Sequence, residues 1–228
     1  NYTGDVLNFE MAGELAEAEE IQTDYVVTND DVAVEDSTYT SGRRGIAGTI
    51  FVHKIAGAAA DDGKDLAGVK EIAERVNGNM RSMGMALTSC IPPESGEPIF
   101  EIGDDEMEIG MGIHGEPGTE RKEIEPADRI VDELLEKILG ENVDFTQGDV
   151  AVMVNGLGGT PLMELYVAYA HVADALEREG VNVYKMAYVG EYMTSLEMAG
   201  FSVSLLKLDE DMKGYLEAPC DVAAGRPF

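Results

Sequence analysis

An α/β fold is predicted by three features of this sequence. Short apolar or alternating stretches bounded by glycine and proline recur between stretches whose apolar residues fall at helical spacing. The run Asp149 to Val154 passes through Asn155-Gly-Leu-Gly-Gly-Thr-Pro161 into a long amphipathic segment, a strand–turn–helix unit. The alternating run Met107 to Ile113 leads into His114, which is enclosed by glycines 110, 112, 115 and 118. With 228 residues and 44% apolar content, the chain can bury one large core or two modest ones.

Taken in order, Asn1 to Asp5 reads as a loop entering a helix, with Asp5 in an N-cap position before Val6, Leu7, Phe9, Met11 and Leu15. Ile21 to Val27 is expected as a short strand ending in the polar turn Thr28–Asp31. From Arg43 to Ala60 the residues Ile46, Ala47, Ile50, Phe51, Ile55 and Ala58 recur at helical spacing. Asp65 to Asn79 forms a second helix, capped by Asp65 and closed near Gly78, and a boundary follows it. Met83 to Ile91 reads as a buried strand, and the prolines from 92 to 98 end it.

After the His114 strand, Pro126 opens a helix through Leu139 whose stripe is Ile130, Val131, Leu134, Leu135 and Ile138. In the next unit Thr160 is a candidate cap and Pro161 a first-turn residue. The glycines there lack both the Gly-Lys-Ser/Thr of a P-loop and the third glycine of a dinucleotide fingerprint, so they read as a packing turn. Val181–Val189 and Phe201–Leu208 are strands, Thr194 to Gly200 a helical turn between them, and Asp209 starts a last helix. The remainder, Ala218 to Phe228, is irregular.

Charge narrows the function. With 45 acidic against 16 basic residues, the net charge of −29 repels nucleic acid and anionic membranes, so neither is an expected partner. The excess is spread along the chain as a solvated surface, a pattern expected of proteins from salt-rich cytoplasm. No apolar run reaches the roughly 18 residues of a membrane span, which points to a cytoplasmic chain. Cys90 and Cys220 have no paired spacing and read as small hydrophobes. Arg43 and Arg44 can hold a phosphate or nearby carboxylates, and the acid excess favours carboxylates. His53 and His171 lie among apolar helix positions and read as structural.

That leaves Ile109-Gly-Met-Gly-Ile-His114-Gly-Glu-Pro-Gly-Thr119. Four glycines let the backbone approach a ligand and leave the imidazole hemmed by little bulk. The spacing alone is equally that of a tight turn with an incidental histidine. The stretch Gly110 to Gly118, however, resembles the Gly-Ile-His-Gly-Glu-Pro-Gly signature of the dihydroxyacetone kinase substrate-binding (K) subunit. Asn1-Tyr-Thr-Gly-Asp-Val-Leu-Asn-Phe-Glu10, Asn29–Val34, Tyr39–Gly48 and Leu157–Tyr166 resemble further blocks of that family in the same order.

The resemblance implies two α/β domains. The first, 1–80, is like a sugar-phosphotransferase component and incomplete here; the second, 81–228, is like the C-terminal domain of tubulin and carries the histidine. It implies that His114 binds dihydroxyacetone covalently as a hemiaminal. A neutral imidazole adds to the ketone, fixing a small neutral substrate that offers few other handles. It also implies that Asp5 is the carboxylate that orients and deprotonates the attacking hydroxyl, with Gly112 and Gly115 lining the substrate. Glu116 is spaced to orient the His114 ring.

No ATP site is legible in this chain, so ADP or ATP with Mg is expected on a partner subunit or domain. The type implied is the phosphotransferase-system-dependent one, a homodimer in the family that works with an ADP-carrying L subunit. In the family a further segment precedes the Asn1 block, so the chain is expected to be a fragment of a longer subunit, or one whose missing part is a separate chain. The competing class is a regulatory relative that binds dihydroxyacetone without phosphorylating it.

Overall fold

The computed structural model describes residues 3–34, 42–185 and 187–222. Asn1, Tyr2 and the start of the Tyr39–Gly48 block lie outside them, as do Met186 of the expected strand at 181–189 and the last residues of the chain. Among the described residues the fold is α/β, as predicted: a seven-stranded mixed sheet in the order β3-β2-β1-β7-β4-β5, with β6 also paired to β4. The strands are β1 (Met80–Ala86), β2 (Glu106–Ile109), β3 (Glu120–Glu123), β4 (Asp149–Gly156), β5 (Asn182–Val183), β6 (Tyr188–Gly190) and β7 (Gly200–Leu208).

Alternation along the central strands feeds two cores. Val150, Val152 and Val154 of β4 and Phe201, Val203 and Leu205 of β7 face one side. There they meet α4 (Ala127–Leu139), through the stripe read from the sequence, and α5 (Leu162–Arg178). Ala151 and Met153 of β4 and Leu206 and Leu208 of β7 face the other side. They pack on α2 (Thr49–Asp61), α3 (Leu66–Gly78) and α6 (Glu210–Glu217). The position near Met80, where a division is expected, is the start of β1, and the helices before it share this second core.

Several elements differ from the sequence reading. The first helix, α1 (Thr3–Ala18), begins three residues early, so Asp5 sits in its first turn and is not its cap. None of its residues is buried, and Leu7, Phe9, Met11 and Leu15 are exposed. Residues 21–27 form no strand; the Asn77 side chain receives the Asn29 N–H and donates to Val27 O in place of a ladder. Only at Asp31 does this segment bridge to β1, opposite Ser82.

The helix expected from Arg43 starts at Thr49, because Arg43 to Gly48 is a buried turn held by Asp30, whose carboxylate accepts from Ile46 and Gly48 N–H. The first N–H groups of α2 need no side-chain cap, since those of Thr49, Ile50 and Phe51 bond to the carbonyls of Ile46, Ala47 and Gly48. Strand β1 starts at Met80 and ends at Ala86. The 181–189 strand splits around Lys185, whose φ of 55° no ladder accommodates. Thr194 to Gly200 forms no helix: Leu196 is left-handed, with φ 57°, and the segment is tied by single bonds to the 157–159 turn. Pro161 takes the N-cap position of α5, because the Thr160 hydroxyl is engaged with Gly200. Asp65 and Asp209 do cap α3 and α6, accepting from Gly68 and Met212 N–H.

Candidate functional site around His114

The sheet register gathers the carboxyl ends of four strands at one edge. Ile109 of β2 lies opposite Met85, Ala86 opposite Gly200, Gly156 opposite Phe201, and Asn155 beside Gly190. Ligand sites in α/β sheets collect at such an edge. The expected strand through Ile113 stops at Ile109, because Gly110 turns left-handed at φ 76° and its N–H bonds across to Gly84 O. His114 is therefore five residues into a turn and not at a strand's end.

That turn is built by what its glycines leave empty. A Cβ at Gly110 would stand 2.7 Å from the Ala33 methyl, and one at Gly112 would overlap the Glu116 carboxylate and come within 2.9 Å of Arg44 Nη1. At Gly115, with φ 79°, it would run into Ile99, and at Gly118 into the carbonyl of Ile109. The far side is closed by Glu108, a buried carboxylate that accepts from Gly118 N–H (3.0 Å) and Arg121 Nε (2.7 Å).

Within it, His114 and Glu116 form a pair. Glu116 accepts the His114 backbone N–H at 3.0 Å, and its other oxygen lies 3.0 Å from ring Nδ1. An ionised carboxylate only accepts, so in the neutral ring the proton sits on Nδ1 and the Nε2 lone pair is free. The imidazole side chain is 57% exposed, and its Nε2 has no hydrogen-bond partner among the described residues. The bond to Glu116 raises the His114 pKa; burial opposes it, and the charges of Glu116 and Asp5 add to it. Burial would raise Glu116 in turn, but the bonds from the His114 ring and from the Glu116 and His114 backbone outweigh it and bring its pKa to about 2. Asp5, on the first turn of α1, thus acts on His114 through space; Gly112 and Gly115 are joined by an N–H···O bond of 3.1 Å across the histidine.

Behind the turn lies a wall in which the arginine pair meets carboxylates, as the acid excess led one to expect. Arg44 is buried and paired with Asp31 at 2.7 Å, and Arg43 is paired with Glu141 at 2.8 Å, so both arginines meet carboxylates. Burial pushes Asp31 up, to about 6, against the pull of Arg44. Arg44 also donates to Gly110 O at 2.7 Å, and Ser195 Oγ donates to Ile113 O at 2.5 Å. His171 is held by Asp132 at 2.7 Å on the outside of α4 and α5, away from this edge.

Residues 1–224 match the Dak1 domain family. The chain is 52% identical over 225 residues to the dihydroxyacetone-binding subunit of the PTS-dependent dihydroxyacetone kinase 1 of Listeria innocua, covering 98% of this chain and 68% of that protein. Among solved structures it is similar to a dihydroxyacetone kinase operon co-activator, with TM-score 0.87 and 34% identity, over 96% of this chain and 68% of that one. It is also similar to the dihydroxyacetone kinase of C. freundii, with TM-score 0.82 and 33% identity, over 96% of this chain and 39% of that one.

Proposed function

The chain belongs to the Dak1 domain family, and from that premise and the His114–Glu116 geometry we propose that it is the dihydroxyacetone-binding part of a dihydroxyacetone kinase. The observation that carries the reading is an exposed imidazole whose Nδ1 is held by an ionised carboxylate and whose Nε2 has no hydrogen-bond partner among the described residues. In the reaction proposed, the Nε2 lone pair forms a bond to the ketone carbon of dihydroxyacetone. The carbonyl electron pair moves to oxygen, which takes up a proton, and the ring gives up its Nδ1 proton, leaving a neutral hemiaminal. Glu116 offsets the positive charge that builds on the ring during attack. Gly112 and Gly115 border the substrate through their backbone, since Glu116, Arg44 and Ile99 fill the space their missing Cβ atoms leave. Asp5 orients and deprotonates the terminal hydroxyl for an in-line transfer.

The phosphoryl group would come from a partner L subunit carrying ADP, or from ATP, with Mg held there and not in this chain. The same reading makes the complete protein a homodimer, extends it by a further N-terminal segment, and likens its two parts to a sugar-phosphotransferase component and the tubulin C-terminal domain. Residues 1–80 and 81–228 would then be joined by the packed face that α2 and α3 share with the sheet. Among the described residues no helix is long and apolar enough to cross a membrane, in keeping with a cytoplasmic enzyme. The net charge of −29 supports a halophilic origin. A melting temperature unchanged between roughly 0.1 and 2 M salt would overturn that part alone.

The test of the reaction is His114→Ala in the complete protein with its partner subunit. In native mass spectrometry the parent should gain the mass of dihydroxyacetone and the variant should not; equal affinity in both would refute the covalent role. A second reading, a regulator that binds but does not phosphorylate, is favoured by the likeness to the co-activator. Asp5→Asn separates the two. In a kinase it leaves binding largely intact and lowers turnover by about 10²–10⁴-fold, whereas a regulator has no turnover to lose.

A further inference from the structure

Two buried side chains, both from outside the turn, hold the backbone carbonyls on either side of His114. Arg44 is 4% exposed and uses its whole fork. Its Nε pairs with Asp31 at 2.7 Å, its Nη2 donates to Gly110 O at 2.7 Å, and its Nη1 lies 3.4 and 3.3 Å from the carbonyls of Glu116 and Pro117. Asp31 is itself fixed, since its N–H bonds to Arg44 O at 3.1 Å, its Oδ1 accepts from Ala33 N–H at 3.0 Å, and it bridges to Ser82 of β1. Ser195, also 4% exposed, reaches Ile113 O at 2.5 Å from a segment pinned to the neighbouring turn through Leu157 O at 2.9 Å.

We propose that Arg44 and Ser195 are positioning residues for His114. By fixing the carbonyls of residues 110, 113, 116 and 117 they set the distance between the His114 ring and the Glu116 carboxylate, and so the tautomer that presents Nε2. This inference rests on reading His114 as the substrate nucleophile. Neither residue touches the ring; each acts through the peptide it holds. A turn with four glycines has little stiffness of its own, because glycine restricts the backbone least. Only a planar fork of five donors can bind a carboxylate along one edge and carbonyls along another, which an ammonium cannot reproduce. The charged groups acting on the ring are Glu116 and Asp5, with the Arg44–Asp31 pair behind the turn.

The test uses Arg44→Lys and Ser195→Ala in the complete protein. The ring nitrogens of His114 are followed by NMR across pH without ligand, and dihydroxyacetone affinity is measured alongside. In both variants the His114 midpoint should fall toward its ordinary value and the preference for a proton on Nδ1 should weaken. Affinity should drop on the order of tenfold to a hundredfold, as small misplacements of a reacting group do. A lowered melting temperature with an unchanged His114 titration and unchanged affinity would make these residues structural only and overturn the proposal. Should Arg44→Lys not fold, Ser195→Ala decides on the same readouts, since it removes a single hydroxyl. If the parent forms no dihydroxyacetone adduct, the reading of the reaction fails, while the ligand-free titration still decides whether Arg44 and Ser195 set the His114–Glu116 pair.

Discussion

Two glycine-rich turns leave the sheet at the same edge, one after β2 and one after β4, and they use their glycines differently. At Gly158 and Gly159 an added Cβ would strike backbone: the carbonyl of Leu196, the carbonyl of Glu197 and the N–H of Ala199. The polar side chains of that turn are engaged with backbone as well. Asn155 accepts from Tyr192 and Met193 N–H and donates to Met193 O, and Thr160 bonds to both polar groups of Gly200. The His114 turn, apart from Gly118 against the Ile109 carbonyl, makes room for the side chains of Glu116, Arg44 and Ile99, and leaves an imidazole nitrogen facing outward. Glycine content marks both as places where chain segments come close. What fills the vacated space separates a packing joint from a reactive one.

The largest expected effect is at the packing joint. Gly158→Ala meets an immovable carbonyl at φ 109° and should cost on the order of 3 kcal/mol in urea unfolding. A midpoint equal to the parent's would dissolve the distinction between the two turns. Gly115→Ala carries similar backbone strain at φ 79°, roughly 1–3 kcal/mol, but what it strikes is the Ile99 side chain. Ile99→Ala should therefore recover part of the loss in the double variant, a coupling of about 1 kcal/mol in a mutant cycle. Additive losses would mean that Ile99 does not shape the turn.

Asp65→Ala, remote from both turns, should lower stability by about 1 kcal/mol through the lost cap on α3 and leave adduct formation untouched. Glu116→Gln changes a profile more than a stability. Because the His114 pKa is raised in the folded protein, chiefly by the bond to Glu116, the neutral nucleophile appears as pH rises through a midpoint above the ordinary imidazole value. Removing the carboxylate that chiefly raises it should move the midpoint of adduct formation to lower pH, and a profile that stays in place would sink the pairing.

Helices α3, α4 and α6 were legible because their apolar stripes and caps are local: the α4 stripe, Asp65 and Asp209 all stand where periodicity and cap chemistry put them. Strand β3 was missed because Glu120-Arg-Lys-Glu123 pairs at the sheet edge with no apolar face to give an alternation. Residues 21–27 carried an alternation and yet have no partner strand among the described residues, so pattern without pairing misled. In the site, His114, Glu116 and Asp5 could be picked out from blocks along the chain. Arg44 and Ser195 could not be placed, because they reach the turn's carbonyls across 66 and 82 residues, and a carbonyl has no signature in a sequence.

The central strand has a consequence for how the molecule comes into being. Strand β7 is the last strand among the described residues, yet it lies between β1 and β4 and pairs with each along nearly its full length. Met80 must find Leu206, more than half a chain away. Until residues 200–208 have been synthesised, β1 and β4 have no neighbour on that side and neither helical layer has a finished surface to cover. Such distant pairing makes folding slow, because the loop must close before the contacts reward it. A growing chain on the ribosome thus carries its apolar helix faces uncovered until this strand has emerged, and needs protection from aggregation for that interval.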